Sequence, residues 1–94
     1  MRKSDLIENL ALQRDISVKR AEQVVNEIFD AMGQSLIDGE RIEVRGFGSF
    51  EIRDYGAYSG RNPKTGEIIN VKPKKLPFFK VGKELKERIL NNHA

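Results

Sequence analysis

The sequence predicts an α+β fold in which helical and extended segments are segregated along the chain. A helical base covers 1–39, sheet strands cover 40–54, a long two-stranded ribbon covers 55–80 and a short helix covers 82–90. Three observations carry this. Apolar residues recur at helical spacing up to Gly39, strict two-residue alternation takes over from Arg41, and the proline-bearing turn Gly60-Arg61-Asn62-Pro63-Lys64-Thr65-Gly66 then reverses an extended arm. At 94 residues the chain is one domain.

In the first helix Leu6, Ile7, Leu10 and Ala11 share a face. Lys3 or Ser4 sits at its start, with Asp5 and Glu8 placed to suit the helix dipole. The pattern breaks at Arg14-Asp15-Ile16. Ser17 is the N-cap of a longer second helix that ends at Asp38 with Gly39 as its C′ residue. Ala21, Val24, Val25, Ile28, Phe29, Met32 and Leu36 span an arc of about 140° on that helix, wider than the ~100° stripe of a surface helix. The arc serves either a deeply buried helix or a second subunit. Without the 26-residue arm only 68 residues remain to build a core, which favours a dimer.

Arg41 to Arg45 and Ser49 to Arg53 alternate polar and apolar residues around the turn Gly46-Phe47-Gly48. They form a hairpin with Ile42, Val44, Phe50 and Ile52 inward. The other face carries Arg41, Glu43, Arg45, Glu51 and Arg53, by itself an ordinary solvated sheet face with cross-strand charge pairs. Tyr55 to Gly60 then runs outward and Glu67 to Lys72 returns. Six residues each way give a reach of about 20 Å. Pro73 and Pro77 mark an edge, where not every hydrogen bond must be donated. Phe78 and Phe79 bring the chain back to the core, Gly82 opens the last helix with Leu85 and Ile89 on one face, and Asn91 to Ala94 is a frayed tail.

Charge is distributed unevenly. The formal net charge is only +3, but Tyr55 to Lys80 holds six cations (Arg61, Lys64, Lys72, Lys74, Lys75, Lys80) against the single anion Glu67. The arm is therefore +5 and the remainder, with eleven cations and thirteen anions, is −2. Such one-sided fields steer anionic partners. The absence of cysteine excludes disulfides, thiol nucleophiles and zinc–thiolate sites, and fits a reducing compartment. Neither a signal-peptide pattern nor ~18 consecutive apolar residues is present, so an intracellular location is expected. Gly46-Phe47-Gly48 lacks the lysine of a phosphate-binding P-loop. Lys64-Thr65-Gly66 matches one β-lactamase element without its Ser-x-x-Lys companion, and His93 has no orienting partner. No catalytic constellation survives, and a binding protein that uses no cofactor and no metal is expected.

Gly46-Phe47-Gly48-Ser49-Phe50, the tip Gly60 to Gly66, and Phe79-Lys80-x-Gly82-Lys83 resemble the bacterial HU and integration host factor family of DNA-bending proteins, from Lys3 to about Ile89. The resemblance implies an intertwined dimer. Its parts are a two-helix dimerisation base, a saddle formed by a three-stranded antiparallel sheet, and two ribbon arms that wrap double-stranded DNA in the minor groove. In this family, and as a property of the family rather than of this chain's composition, an apolar wedge enters a base step and kinks the duplex. By position the wedge is Pro63, with Arg61 and Asn62 beside it and Gly60, Lys64, Thr65 and Gly66 completing the tip. Lys3, Lys72, Lys74, Lys75, Lys80, Lys83 and Lys86 would meet phosphates and release counterions. Val25, Ile28, Phe29, Met32, Val44, Phe47, Phe50 and Phe79 would line the dimer interface.

Gly39 to Arg45 is most similar to the beta type of integration host factor. There Arg45 would reach a base edge and Glu43 would hold it, with Arg53 on the same DNA-facing sheet. The implied roles are in recombination, in transcription and translation regulation and in nucleoid organisation, in the cytoplasm on the nucleoid. The partner is a related alpha-type subunit. The alternative is an HU-like homodimer that binds without sequence preference. Tyr55 and Tyr58 stand where relatives carry basic residues, and Val81 replaces a proline. A single-strand-binding protein would place stacking aromatics among the arm cations, yet Gly60 to Val71 has none. A pure protein-interaction module would not need six cations on a turn-bearing ribbon.

Overall fold

The structure, a computed structural model, describes residues 1–93. Its elements in order are α1 (Lys3–Arg14), α2 (Val18–Ile37), β1 (Ile42–Val44), β2 (Gly48–Tyr55), β3 (Tyr58–Arg61), β4 (Ile68–Val71), β5 (Lys74–Val81) and α3 (Lys83–His93). The molecule is long: its principal extents are 60 × 35 × 26 Å and its radius of gyration is 19.4 Å. A compact chain of this length would have a radius near ~12 Å. The expected α+β arrangement with a projecting ribbon is what accounts for the difference.

Local chemistry sets the helix ends. The Arg2 amide donates to Asp5 Oδ2 at 2.8 Å, satisfying a free backbone group at the start of α1. Asp15 stops α1 in the left-handed region at φ 51°, and the Ile16 amide donates to the Ala11 carbonyl at 3.1 Å. Ser17 Oγ accepts from the Arg20 amide at 3.1 Å, the expected N-cap of α2. At the other end Glu40 N donates to Ser35 O and Gly39 N to Leu36 O, with Gly39 at φ 79°. That paired pattern is a Schellman cap, and the positive φ is why a glycine stands there.

The helices pack through Ile7 and Ala11 of α1 against Ala21 and Val25 of α2, with Leu6, Leu10 and Ile16 around them. Those four are the only buried apolar side chains among the described residues, and no large side chain is fully enclosed. A single chain therefore has almost no core of its own.

β1, β2 and β5 form a three-stranded antiparallel sheet in the order β1-β2-β5, and β3 pairs with β4. The β2–β5 ladder runs from Gly48↔Val81 to Tyr55↔Lys74, and the β3–β4 ladder resumes at Tyr58↔Val71. Both strands advance three residues between those last pairs, so no register slip occurs. The arm is one ribbon whose ladder is interrupted, not bulged, at Gly56-Ala57 opposite Lys72-Pro73. Proline has no amide to donate, which explains where the ladder lapses.

Alternation assigns the sheet faces. Ile42, Val44, Phe50, Ile52, Pro77, Phe79 and Val81 share the inner face, where Phe79 lies 4.8 Å from Phe50 and 5.5 Å from Phe47 between ring centroids. A Cβ added to Gly48 would lie 2.5 Å from the Lys80 carbonyl and 2.7 Å from the Phe79 ring. Gly48→Ala is accordingly expected to destabilise the fold by roughly 1–3 kcal/mol through overpacking, seen as a lowered thermal midpoint. An unchanged midpoint would refute this close approach.

Two expectations need correction. Phe78 does not return to the core: neighbouring residues on a strand face opposite ways, and with Phe79 inward Phe78 lies on the outer, polar face. The last helix runs from Lys83 to His93, not 82–90. Gly82 precedes it and accepts from the Lys86 amide. Asn91 to His93 continue it because no glycine or proline stops the helix there, and Ala94 lies outside the described residues.

Candidate nucleic-acid interface

The arm tip is held by backbone and side-chain hydrogen bonds that do not use the proline at its centre. Asn62 N donates to the Glu67 carbonyl at 2.8 Å and Gly66 N to the Asn62 carbonyl at 2.7 Å. Asn62 Oδ1 accepts from the Lys64 amide at 2.9 Å, and Thr65 Oγ1 from the Glu67 amide at 3.3 Å. Gly66 has φ 76°, which an L side chain rarely tolerates. Asn62, Thr65 and Gly66 thus build the turn, and Pro63, exposed with Arg61 and Lys64 on either side, is free to meet something else. Gly60 pairs with Ile69 just below, where an added Cβ would lie 3.8 Å from the Tyr58 ring.

At the end of the three-stranded sheet away from the arm, beside the β1–β2 turn, the sheet makes a basic hollow. A concavity of about 600 Å³ is lined by Arg41, Arg45, Lys80 and Lys83 together with the lone carboxylate Glu43. Strand alternation puts Glu43 and Arg45 on one side of β1, and Lys80, paired with Ser49, closes the hollow from β5. Arg53 lies further along the same face with its guanidinium carbon 3.4 Å from the centre of the Phe78 ring, a cation–π stack.

Not every expected cation converges there. Lys75 belongs to the inner face and meets Asp54 at 3.9 Å, Lys74 is on the outer face, and Lys72 stands at the ladder break. Lys86 is exposed on the first turn of α3. Lys3 ties the helices together, its Nζ donating to Asn26 Oδ1 at 2.8 Å. Arg41, Glu51 and Phe78 share the outer sheet face as well. The placement of Arg41 and Glu51 was legible from the strand alternation they share with Glu43 and Arg53; that of Phe78 required the register.

A second surface is apolar. Ile28 and Phe29 of α2 are 53% and 45% exposed, Phe47 of the β1–β2 turn 47%, and Val44 and Phe79 are exposed as well. Met32 and Phe50 are half-covered, whereas Val25 is already enclosed within its own chain. Exposed apolar groups in this number are characteristic of an interaction surface rather than of a free monomer.

A ribbon tipped by a cation-flanked proline, rising from a basic sheet over an open apolar base, defines a nucleic-acid-binding architecture. The chain belongs to the family of bacterial DNA-binding proteins, whose model matches residues 1–90. It is 53% identical over 90 residues to integration host factor subunit beta of Photorhabdus laumondii, covering 95% of this chain and 96% of that protein. With the subunit beta of Marinobacter nauticus it is 50% identical over 90 residues, covering 95% and 92%. Among solved structures the Anabaena HU–DNA cocrystal structure superposes with a TM-score of 0.81 at 31% identity, covering 95% and 97% of the two chains. The V42I mutant of Thermotoga maritima HU gives 0.68 at 30% identity, covering 95% and 99%. The resemblance read from Gly46 to Phe50, Gly60 to Gly66 and Phe79 to Lys83 thus stands, as does the likeness to the beta type. No helix among the described residues is long and apolar enough to cross a membrane.

Proposed function

We propose that this chain is one half of a dimer that binds duplex DNA along the minor groove and bends it sharply, with Pro63 as the wedge that opens a base step. The observation that carries this is the tip itself. Its turn is closed by Asn62, Thr65 and Gly66, leaving the rigid pyrrolidine exposed between Arg61 and Lys64. Opening a step costs a few kcal/mol and bending the flanks about 1–6 kcal/mol more. Cations of the arm root, the saddle and α3 (Lys72, Lys74, Lys75, Lys80, Lys83 and Lys86) offset that by contacting phosphates of the bent flanks, and Lys3 contributes from the base.

Glu43 and Arg45 sit together in the hollow, where Arg45 reads a base edge and Glu43 keeps it there, so that the chain prefers some sequences over others. The beta-subunit name of its relatives supports a related alpha-type chain as partner ahead of a second copy. The action is mechanical, with no bond made or broken. It suits the nucleoid of a bacterial cytoplasm, where bent DNA assists recombination and the regulation of transcription.

The test is a duplex labelled at both ends, titrated with the assembled dimer at several salt concentrations. Energy transfer should rise on binding, and the logarithm of affinity should fall by roughly 0.9 per decade of salt for each phosphate neutralised. Binding without a change in transfer would sink the bending claim, and a flat salt dependence would contradict the electrostatic account.

A further inference from the structure

Among the described residues there are three ion pairs, and two of them share one carboxylate. Glu51 Oε1 lies 3.7 Å from Arg53 Nε, and its Oε2 lies 4.0 Å from Arg41 Nη1. Arg41 also donates through Nη2 to Ser49 Oγ at 3.5 Å, and the Arg53 guanidinium sits over the Phe78 ring. The Glu51 side chain is 33% exposed, less than either arginine, at 57% and 45%. The register explains the cluster. Ile42 pairs with Phe50, so Arg41 falls opposite Glu51, while Glu51 itself pairs with Phe78 on the other side. One carboxylate in the middle strand therefore bridges an arginine from the β1 side and an arginine stacked on β5. All of this lies on the face that holds Glu43, Arg45 and Lys80.

A partly exposed pair at 3.7–4.0 Å is weak and exchangeable. Glu51 nevertheless does two things to the free protein: it lowers the positive charge of the saddle, and it orients two guanidinium groups that would otherwise sample many rotamers. These effects act oppositely on the two kinds of DNA binding. Loose attachment to any duplex depends on cation–phosphate contacts, which Glu51 weakens by competing for both arginines. A closely fitted, bent complex depends on arginines already in place, which Glu51 supplies together with Phe78.

The geometry points to Glu51 as a positioning residue that sharpens sequence preference by holding Arg41 and Arg53 back from non-specific phosphate contact while keeping them aligned for the fitted complex. This rests on the DNA-bending reading above.

The experiment compares the dimer carrying Glu51→Gln with wild type on random duplex and on a site selected from a random pool by the wild-type dimer. Salt dependence is recorded on both DNAs, and end-to-end energy transfer is recorded in the same samples. On random duplex the variant should bind about tenfold tighter at low salt, and its salt slope should steepen by about 0.9 for each arginine released, up to about 1.8. On the selected site the gain should be smaller, so the ratio of the two affinities falls. In a chain also carrying Arg41→Gln and Arg53→Gln, replacing Glu51 should change neither slope nor ratio. Parallel salt lines for wild type and Glu51→Gln would overturn the proposal. So would an effect that persists undiminished without the two arginines, which would make Glu51 a bulk charge only. If the wild-type dimer binds without raising energy transfer, the bending reading fails instead, and the slopes still decide the role of Glu51.

Discussion

Dilution of the assembled dimer by roughly a hundredfold is expected to lower its thermal midpoint by several degrees, because folding and association are one equilibrium when the lone protomer has almost no core. Among the described residues only Ile7, Ala11, Ala21 and Val25 are buried apolar side chains, two of them alanines. That is too little apolar burial to offset the conformational entropy of ordering a chain of 94 residues. The missing burial lies on the open face formed by Ile28, Phe29, Val44, Phe47 and Phe79. Phe47→Ala removes an aromatic ring from that face and from its contact with Phe79 at 5.5 Å. Truncating a buried phenylalanine typically costs about 3–5 kcal/mol, a large share of the ~5–15 kcal/mol that holds a domain together. The variant should therefore be mostly unfolded by circular dichroism at concentrations where wild type is folded. Leu12→Ala is the control, since Leu12 is 83% exposed on α1, an element that contributes no residue to that face, and should change stability by no more than about 0.5 kcal/mol. A midpoint independent of concentration, or equal losses in the two variants, would argue that the protomer is stable alone.

Features decided by local chemistry were legible in the sequence. Ser17, Gly39 and Gly66 mark caps and turns because only a few residue types satisfy the backbone at those points. The alternation from Arg41 to Arg53 put Glu43 and Arg45 on one face for the same kind of reason. What escaped was decided by pairing. Phe78 and Phe79 are the same residue type in adjacent positions, so only the Phe50↔Phe79 register shows which faces inward and which lies under Arg53. Glu51 reads as one more surface charge until the strands on both sides of it are in place. The apolar arc of α2 was ambiguous for a related reason. Periodicity shows that a face must be covered, yet it does not say whether the cover comes from the same chain. The structure divides the arc, closing Val25 against α1 and leaving Ile28 and Phe29 open.

Replacing Pro63 by alanine is expected to leave the arm folded and to remove most of the bend. The first half follows from the turn geometry. None of the four hydrogen bonds that close the tip uses Pro63, and the left-handed position belongs to Gly66. The substitution loosens the unfolded chain, worth about 0.4–1 kcal/mol at most, and leaves the contacts of Asn62 and Thr65 as they are. The second half follows from the size of the wedge. Alanine keeps one of proline's three ring methylenes as a methyl, so two are lost at each tip. At about 0.8 kcal/mol per buried methylene, that is roughly 1.6 kcal/mol, or about tenfold in affinity per arm. An opened step left partly unfilled no longer compensates for the few kcal/mol of unstacking, so the duplex stays closer to straight. Energy transfer between the duplex ends should therefore drop sharply, while the salt slope, set by lysines and arginines that remain, should hardly move. A duplex nicked at the kink site is already unstacked, and the variant should bind it with little loss. A full bend with alanine at position 63 would assign the kink to the flanking cations alone.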